Sequence, residues 1–551
     1  MSPGRGLLAA VALVGLVLAV FGQTLAFGWV NLDDDLHVTA NPHLNPVTLA
    51  GLARLWTASY QNLYVPLAYT LFAGEVWASR IVFGGGGAAA PPDAGLFHAV
   101  SVVLHLVNVL LVRRLLDRLA GGTTWPATAG AALFAVHPLQ VESVAWISEQ
   151  RGLLAAACGL GAMVLHVGSG RGDTAGDGAG CAGAAHGPRL WTRRVAAIGL
   201  FGLGLLAKPQ VATVPLLLFV LDVGARGRPV RTAAIELSPW FVFGGLVTLV
   251  TRALQPDLFI QPVAPWLRPL VAGDAVVFYV AALLWPLQLS VDYGRTPQVV
   301  LQSPAACAAA VAAWLVVAGI LLTRRLGRWR VPVAVAVIAL LPVLGFIPFL
   351  FQEYSTVADR YCYLAMLGPA LAVAWGSARL LERSAGPPAI AGLAMPLLLL
   401  GVASWAQTGV WRDSFTLWAQ AIRVYPNTFL GNCNLGSALI DVDRPDEAVD
   451  FLRRAVRVGP TSVPAQFSLA VALDKVNRPD EAARFYENVL LLHPRHARAH
   501  NLLGVIHARQ GRVAEATEHF RAAVGHDPGY HDARANRERA TKLLGQAPDR
   551  R

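Results

Sequence analysis

Charge is scarce in this chain. Of its 551 residues only 14% are charged, while 55% are hydrophobic. That balance excludes two or three ordinary soluble domains and implies a bilayer. Lysine is scarcer still: three residues, Lys208, Lys475 and Lys542, among 45 Lys and Arg. Lys208 is therefore a position where Arg has not replaced Lys in the apolar part of the chain. Cys158, Cys181, Cys307, Cys362 and Cys433 are scattered, with no CxxC and no paired spacing. Neither a disulfide framework nor a zinc site is indicated. The formal net charge is +11, but the basic residues sit in short runs between apolar stretches rather than along one soluble face. They read as topology signals, and no nucleic acid partner is expected.

Apolar segments occupy 7–27, 97–112, 124–136, 152–168, 195–207, 210–222, 239–254, 304–323, 331–351, 362–378 and 388–406. The first could be a signal peptide after Arg5, but it is long and lacks a small-residue cleavage site, so a retained span is expected. Arginine runs around 113–118, 189–194, 226–231, 324–330 and 379–383 fall in every second loop. The positive-inside rule then predicts about eleven crossings, a cytoplasmic N-terminus and an extracytoplasmic C-terminal part. The stretch 195–222 must turn back at Lys208-Pro209 for this to hold. The run 272–290 is read as a re-entrant or interfacial segment on the outer side.

The C-terminal part is periodic. Pro426, Pro460, Pro494 and Pro528 recur every 34 residues, the length of a tetratricopeptide repeat. Small and large packing positions repeat in step: Gly436, Ala448, Leu452; Ala470, Ala482, Tyr486; Gly504, Ala516, Phe520. The predicted fold is all-α: a polytopic membrane bundle over 1–410, an α-solenoid of repeats over 411–545 and a polar tail over 546–551. A solenoid's concave face suits an extended protein or peptide segment. His493, His496 and His500 have no carboxylate or Cys partner in sequence and read as ordinary histidines rather than metal ligands.

Chemistry points to the outer loops. Asp33-Asp34-Asp35 follows the first span, and three adjacent carboxylates raise at least one pKa, which suits a general base. His137 and Glu142 lie in the next outer loop, Lys208 at the hairpin tip and Arg360 between two late spans. Cations at the membrane surface suit a lipid-anchored phosphate. Solvated acids and snorkelling cations are the competing reading.

At these residues the chain resembles the transmembrane and tetratricopeptide-repeat protein O-mannosyltransferases and their bacterial relatives, in the GT-C glycosyltransferase class. The matching segments are Phe27 to Asp35 with Asn41-Pro42, His98 to His105 with Asn108, Leu133 to Trp146, Leu206 to Asp222, Leu289 to Tyr293, Ala358 to Tyr361, and Trp411 to Ser414. The resemblance implies an inverting transfer of a sugar from a polyprenyl-phosphate donor to Ser or Thr hydroxyls, metal-independent or with loose help from a divalent metal. It implies Asp33 or Asp34 as base, His137 and Glu142 in support of the acceptor, and Lys208 and Arg360 on the donor phosphate. It also implies a bacterial inner membrane location. Asp35 and the small number of repeats depart from the family pattern. A non-catalytic membrane scaffold with protein-binding repeats is the alternative from a different class.

Overall fold

The computed structural model describes residues 3–82, 91–169, 188–254, 263–383 and 386–546. Cys181 and the last five residues of the tail lie outside them. Among the described residues the regular structure is helical, with only two isolated bridges, Leu44 to Val47 and Tyr60 to Leu63. The chain divides into two compact units, residues 1–417 and 418–551.

Among the described residues of the first unit, seven helices are long and apolar enough to cross a membrane: Gly4–Ala26, Ala94–Leu119, Ile147–Gly168, Val230–Leu254, Pro304–Leu322, Arg324–Val343 and Pro387–Trp411. Their outward faces stay apolar, as lipid requires: Leu7, Val103, Leu246, Leu315 and Leu398 are all exposed. The other apolar segments read from the sequence fall in Thr124–Val136, Pro188–Ala207, Pro209–Ala225 and Leu367–Arg383, which are shorter or more charged. The 272–290 run begins inside the helix Arg268–Leu284, which lies beside Pro304–Leu322 with Gly273 against Ala310.

Pro209 ends the helix Pro188–Ala207 because it cannot donate the next backbone bond. The chain then reverses. Gly161 meets Leu200 and Gly159 meets Val211 and Val214, so both arms flank the helix Gln150–Ser169. Lys208 sits at its Glu149 end, and the returning arm delivers Asp222 to His166, 2.9 Å away. From Gln150 to His166 is roughly 24 Å at 1.5 Å per residue. Around Asp222 gather Arg226, Arg228 and Glu236, so the arginines of this end are paired with acids.

The second unit is a series of helix pairs. Pro445 and Pro479 start their helices at the first turn, each followed by an acidic pair that complements the helix dipole. Gly436 and Gly504 allow close approach: a Cβ there would lie 2.4 Å from Leu452 and 2.8 Å from Phe520. The side chain six residues after each of the first three repeat prolines ties down the turn. Asn432, Gln466 and His500 donate to the carbonyls of Pro426, Pro460 and Pro494 at 2.8, 2.6 and 3.1 Å. His496 caps the helix Ala497–Arg509 through Nδ1.

Candidate active site

The loop after the first helix is fastened at several points. Gly28 N donates to the Arg412 carbonyl at 3.1 Å, Asn31 N to Ser414 Oγ at 2.9 Å, and Trp146 Nε1 to the Leu32 carbonyl at 2.7 Å. The rings of Trp146 and Trp411 lie nearly parallel, 6.3 Å apart. Two of the segments that carry the family resemblance thus lash a third in place.

The three adjacent acids are separated by this geometry. Asp35 is exposed in the π-helical turn Asp35–Thr39. Asp34 is 1% exposed, and its Oδ1 accepts from Ser148 N at 3.0 Å and Ser148 Oγ at 2.6 Å, with Val30 N 3.3 Å from Oδ2. Burial lifts the Asp34 carboxyl to about 7, against the pull of those hydrogen bonds. Asp33 is half-buried, and no side-chain partner is found for it among the described residues. Its backbone takes φ 64°, a left-handed conformation that a non-glycine residue adopts at a cost and that recurs at functional sites. Its charge is felt by both Asp34 and Tyr69.

Next to Ser148 stands Glu149, which forms an ion pair with Lys208. Burial holds the Lys208 amine below the usual lysine range, while Glu149 pulls the other way and the charges of Arg151 and Arg360 add to the depression. Arg360 lies 2.5 Å from Glu142 through Nη1, and its backbone N–H reaches the other Glu142 oxygen at 2.9 Å. Burial opposes the guanidinium charge, but Glu142, Tyr361 and Glu149 together outweigh it and raise the Arg360 pKa. The guanidinium also lies over Phe351 at 4.2 Å and Trp146 at 5.2 Å, the ring that Arg151 approaches at 5.8 Å. Beside Arg360, Tyr293 donates to Asp359 at 2.6 Å.

Asp34, Glu142, Lys208 and Arg360, taken from different loops, are therefore joined into one cluster through Trp146, Ser148 and Glu149, with Asp33 beside Asp34 in the chain. The sequence reading missed Ser148 and Glu149, although they follow directly on the segment ending at Trp146. Glu142, expected to support the acceptor site, has both oxygens on Arg360. His137, expected in the same role, is buried with Nε2 3.1 Å from the Leu283 carbonyl and Nδ1 accepting from Leu139 N. Burial lowers its pKa to about 4, which keeps it a neutral tie between loops. Among the described residues no group of three or more His, Cys, Asp or Glu is arranged to hold a metal. The buried carboxylates of Asp34, Glu142 and Glu149 already face a hydroxyl or a cation.

A tetratricopeptide-repeat family model matches residues 467–531. Over 300 residues, 51% of this chain, the sequence is 28% identical to the protein O-mannosyl-transferase Tmtc2 of Drosophila melanogaster. The chain covers 30% of that relative's length. Among solved structures, MamA is similar at 21% identity over 24% of this chain and 77% of its own, with a TM-score of 0.23. YrrB, a tetratricopeptide-repeat protein with an unusual peptide-binding site, is similar at 22% identity over 30% of this chain and 89% of its own, with a TM-score of 0.24. The chain is thus an all-α, multi-pass membrane protein with a C-terminal tetratricopeptide-repeat region and a relative among the O-mannosyl-transferases.

Proposed function

We propose that this chain is a membrane glycosyltransferase that moves a sugar from a polyprenyl-phosphate donor to Ser or Thr hydroxyls of extracytoplasmic proteins, with the repeat unit recruiting the protein acceptor. The observation that carries this reading is that Asp33, whose carboxylate has no side-chain partner among the described residues, adjoins Asp34 in a cluster that also holds the buried Arg360 and the half-buried Lys208. The similarity to Tmtc2 supports the same class of reaction.

In this reading Asp33 is the base. Asp34 is too enclosed to meet a hydroxyl and instead holds the loop through Ser148. The acceptor oxygen attacks the anomeric carbon, its proton passes to the Asp33 carboxylate, and the bond from that carbon to the phosphate oxygen breaks. Polyprenyl phosphate leaves with the electron pair. The growing negative charge is met by Arg360 and Lys208, whose partners Glu142 and Glu149 keep them oriented in a site of low dielectric. His137 fixes the loop that carries Glu142. Every step uses the chain's own groups.

The test is turnover. Purified protein incubated with a panel of polyprenyl-phosphate sugars is expected to release polyprenyl phosphate faster when a Ser/Thr peptide is present. Arg360→Ala should weaken donor binding more than acceptor binding. Equal donor affinity in that variant removes Arg360 from the donor site, and no turnover with any donor leaves the scaffold reading standing.

A further inference from the structure

A cavity of about 260 Å³ opens beside the cluster, lined by Arg268, Gln298, Gly345, Gln352 and Glu353 together with Val263, Val271 and two prolines. It is large compared with the ~30 Å³ share of one water molecule. Gln352 is 5% exposed, yet its Nε2 has no hydrogen-bond partner. A buried amide donor without a partner costs about 1–3 kcal/mol, so an unspent donor on a residue that lines a cavity favours a small side-chain shift that would give it a ligand atom. Gly345, at φ 90°, packs directly against that amide, since a Cβ there would collide with Gln352 Nε2. Arg268 is held against the same wall by the carbonyls of Val263 at 3.1 Å and Phe346 at 3.0 Å.

The composition of the lining selects the ligand. One guanidinium and one carboxylate balance in charge, so the cavity does not favour an anion, and Glu353 would repel a phosphate. Four polar side chains do not suit a hydrocarbon tail. Two amides, which both donate and accept, with a cation and an acid beside apolar patches, match a neutral ring bearing several hydroxyls. The position agrees. Gln352 directly follows Phe351, whose ring carries the Arg360 guanidinium, so a phosphate at Arg360 would leave its attached sugar near this cavity.

We infer that the cavity between Arg268, Gln298, Gln352 and Glu353 receives the pyranose ring of the lipid-linked donor and discriminates among sugars by their hydroxyls. This rests on the transferase reading above. Binding of bare polyprenyl phosphate and of polyprenyl-phosphate hexose to the protein in nanodiscs separates the two. The hexose-bearing lipid should bind wild type more tightly than the bare lipid. Gln352→Leu should lower its affinity about five- to tenfold, the loss of one hydrogen bond, and leave the bare lipid unchanged. Gln298→Ala, at an exposed position, should do the same to a smaller extent and carries the test should Gln352→Leu not fold. A hexose increment absent from wild type, or intact in the folded variants, overturns the assignment of the cavity. Failure of wild type to bind either lipid instead overturns the transferase reading itself.

Discussion

The two units use polar side chains in opposite ways. In the membrane unit the decisive pairs join distant parts of the chain: Lys208 with Glu149 across 59 residues, Asp34 with Ser148 across 114, and Arg360 with Glu142 across 218. All are buried or nearly so. In the repeat unit the recurring bonds from Asn432, Gln466 and His500 each span six residues, and most ion pairs lie at the surface. Long-range buried pairs define a site. Short-range repeated ones define a scaffold that could be extended by copying.

The largest effect expected from breaking this contrast is chemical. Asp33→Asn should lower sugar transfer by about 10²–10⁴-fold, the usual contribution of a general base, while the repeat unit keeps its hydrogen-exchange protection. Asp34→Asn should act through the loop, lowering transfer with a loss of protection around 27–35 that Asp33→Asn does not show. Transfer unaffected by Asp33→Asn takes the base assignment away.

Stability comes next. Glu142→Ala leaves Arg360 buried and unpaired, and a loss of about 3–5 kcal/mol is expected in the membrane unit, read from thermal unfolding in detergent. In the repeat unit the comparable damage comes from packing rather than charge. Phe520→Ala, which empties the space against Gly504, should cost about 3–5 kcal/mol and loosen only the last repeats, as local hydrogen exchange would report.

A subtler effect is a difference of sign with pH. Asp34 has its carboxyl raised to about 7 from 3.8, so over that window the folded chain keeps a proton that the unfolded chain gives up. Its contribution to stability therefore falls as pH rises from about 4 to 7. His519 is lowered by burial to about 4 from 6.5, with His500 and His507 adding to the depression and Glu515 opposing it. There the unfolded chain binds the extra proton, and stability falls as pH drops through the same range. Hydrogen exchange between pH 4 and 7 should show opposite slopes near Ser148 and in the helix Val513–His526. Slopes of one sign would refute the contrast. The smallest change is expected at the surface, where Lys475→Ala removes a partner of exposed Asp443 and should alter the melting free energy by about 1 kcal/mol or less.

How much was legible follows the same division. The proline period and the alternation of small and large residues announce the repeats because each helix pair packs on its own sequence neighbours. The reversal at Lys208-Pro209 was legible too, because a proline break and the alternation of arginines both demand it. The candidate residues Asp33, Asp34, Glu142, Lys208 and Arg360 could be picked from the loops by chemistry, yet their partners could not. Glu149 looks like an ordinary acid at a helix start until Lys208 arrives from another loop. Nothing in the order Asp33-Asp34-Asp35 says that the second is buried on Ser148, the third exposed and the first strained and without a side-chain partner among the described residues.

The sequence by itself determined the class of the molecule: apolar segments too numerous for water, a repeat whose length admits one architecture, and cations and acids gathered in the same set of loops. These are properties of composition and period, which local backbone physics and burial against near neighbours translate directly. Only the tertiary structure decided which acid holds which cation, which aspartate is left free, and where Gln352 has a donor to offer, because each depends on groups that meet only after distant loops have closed on one another.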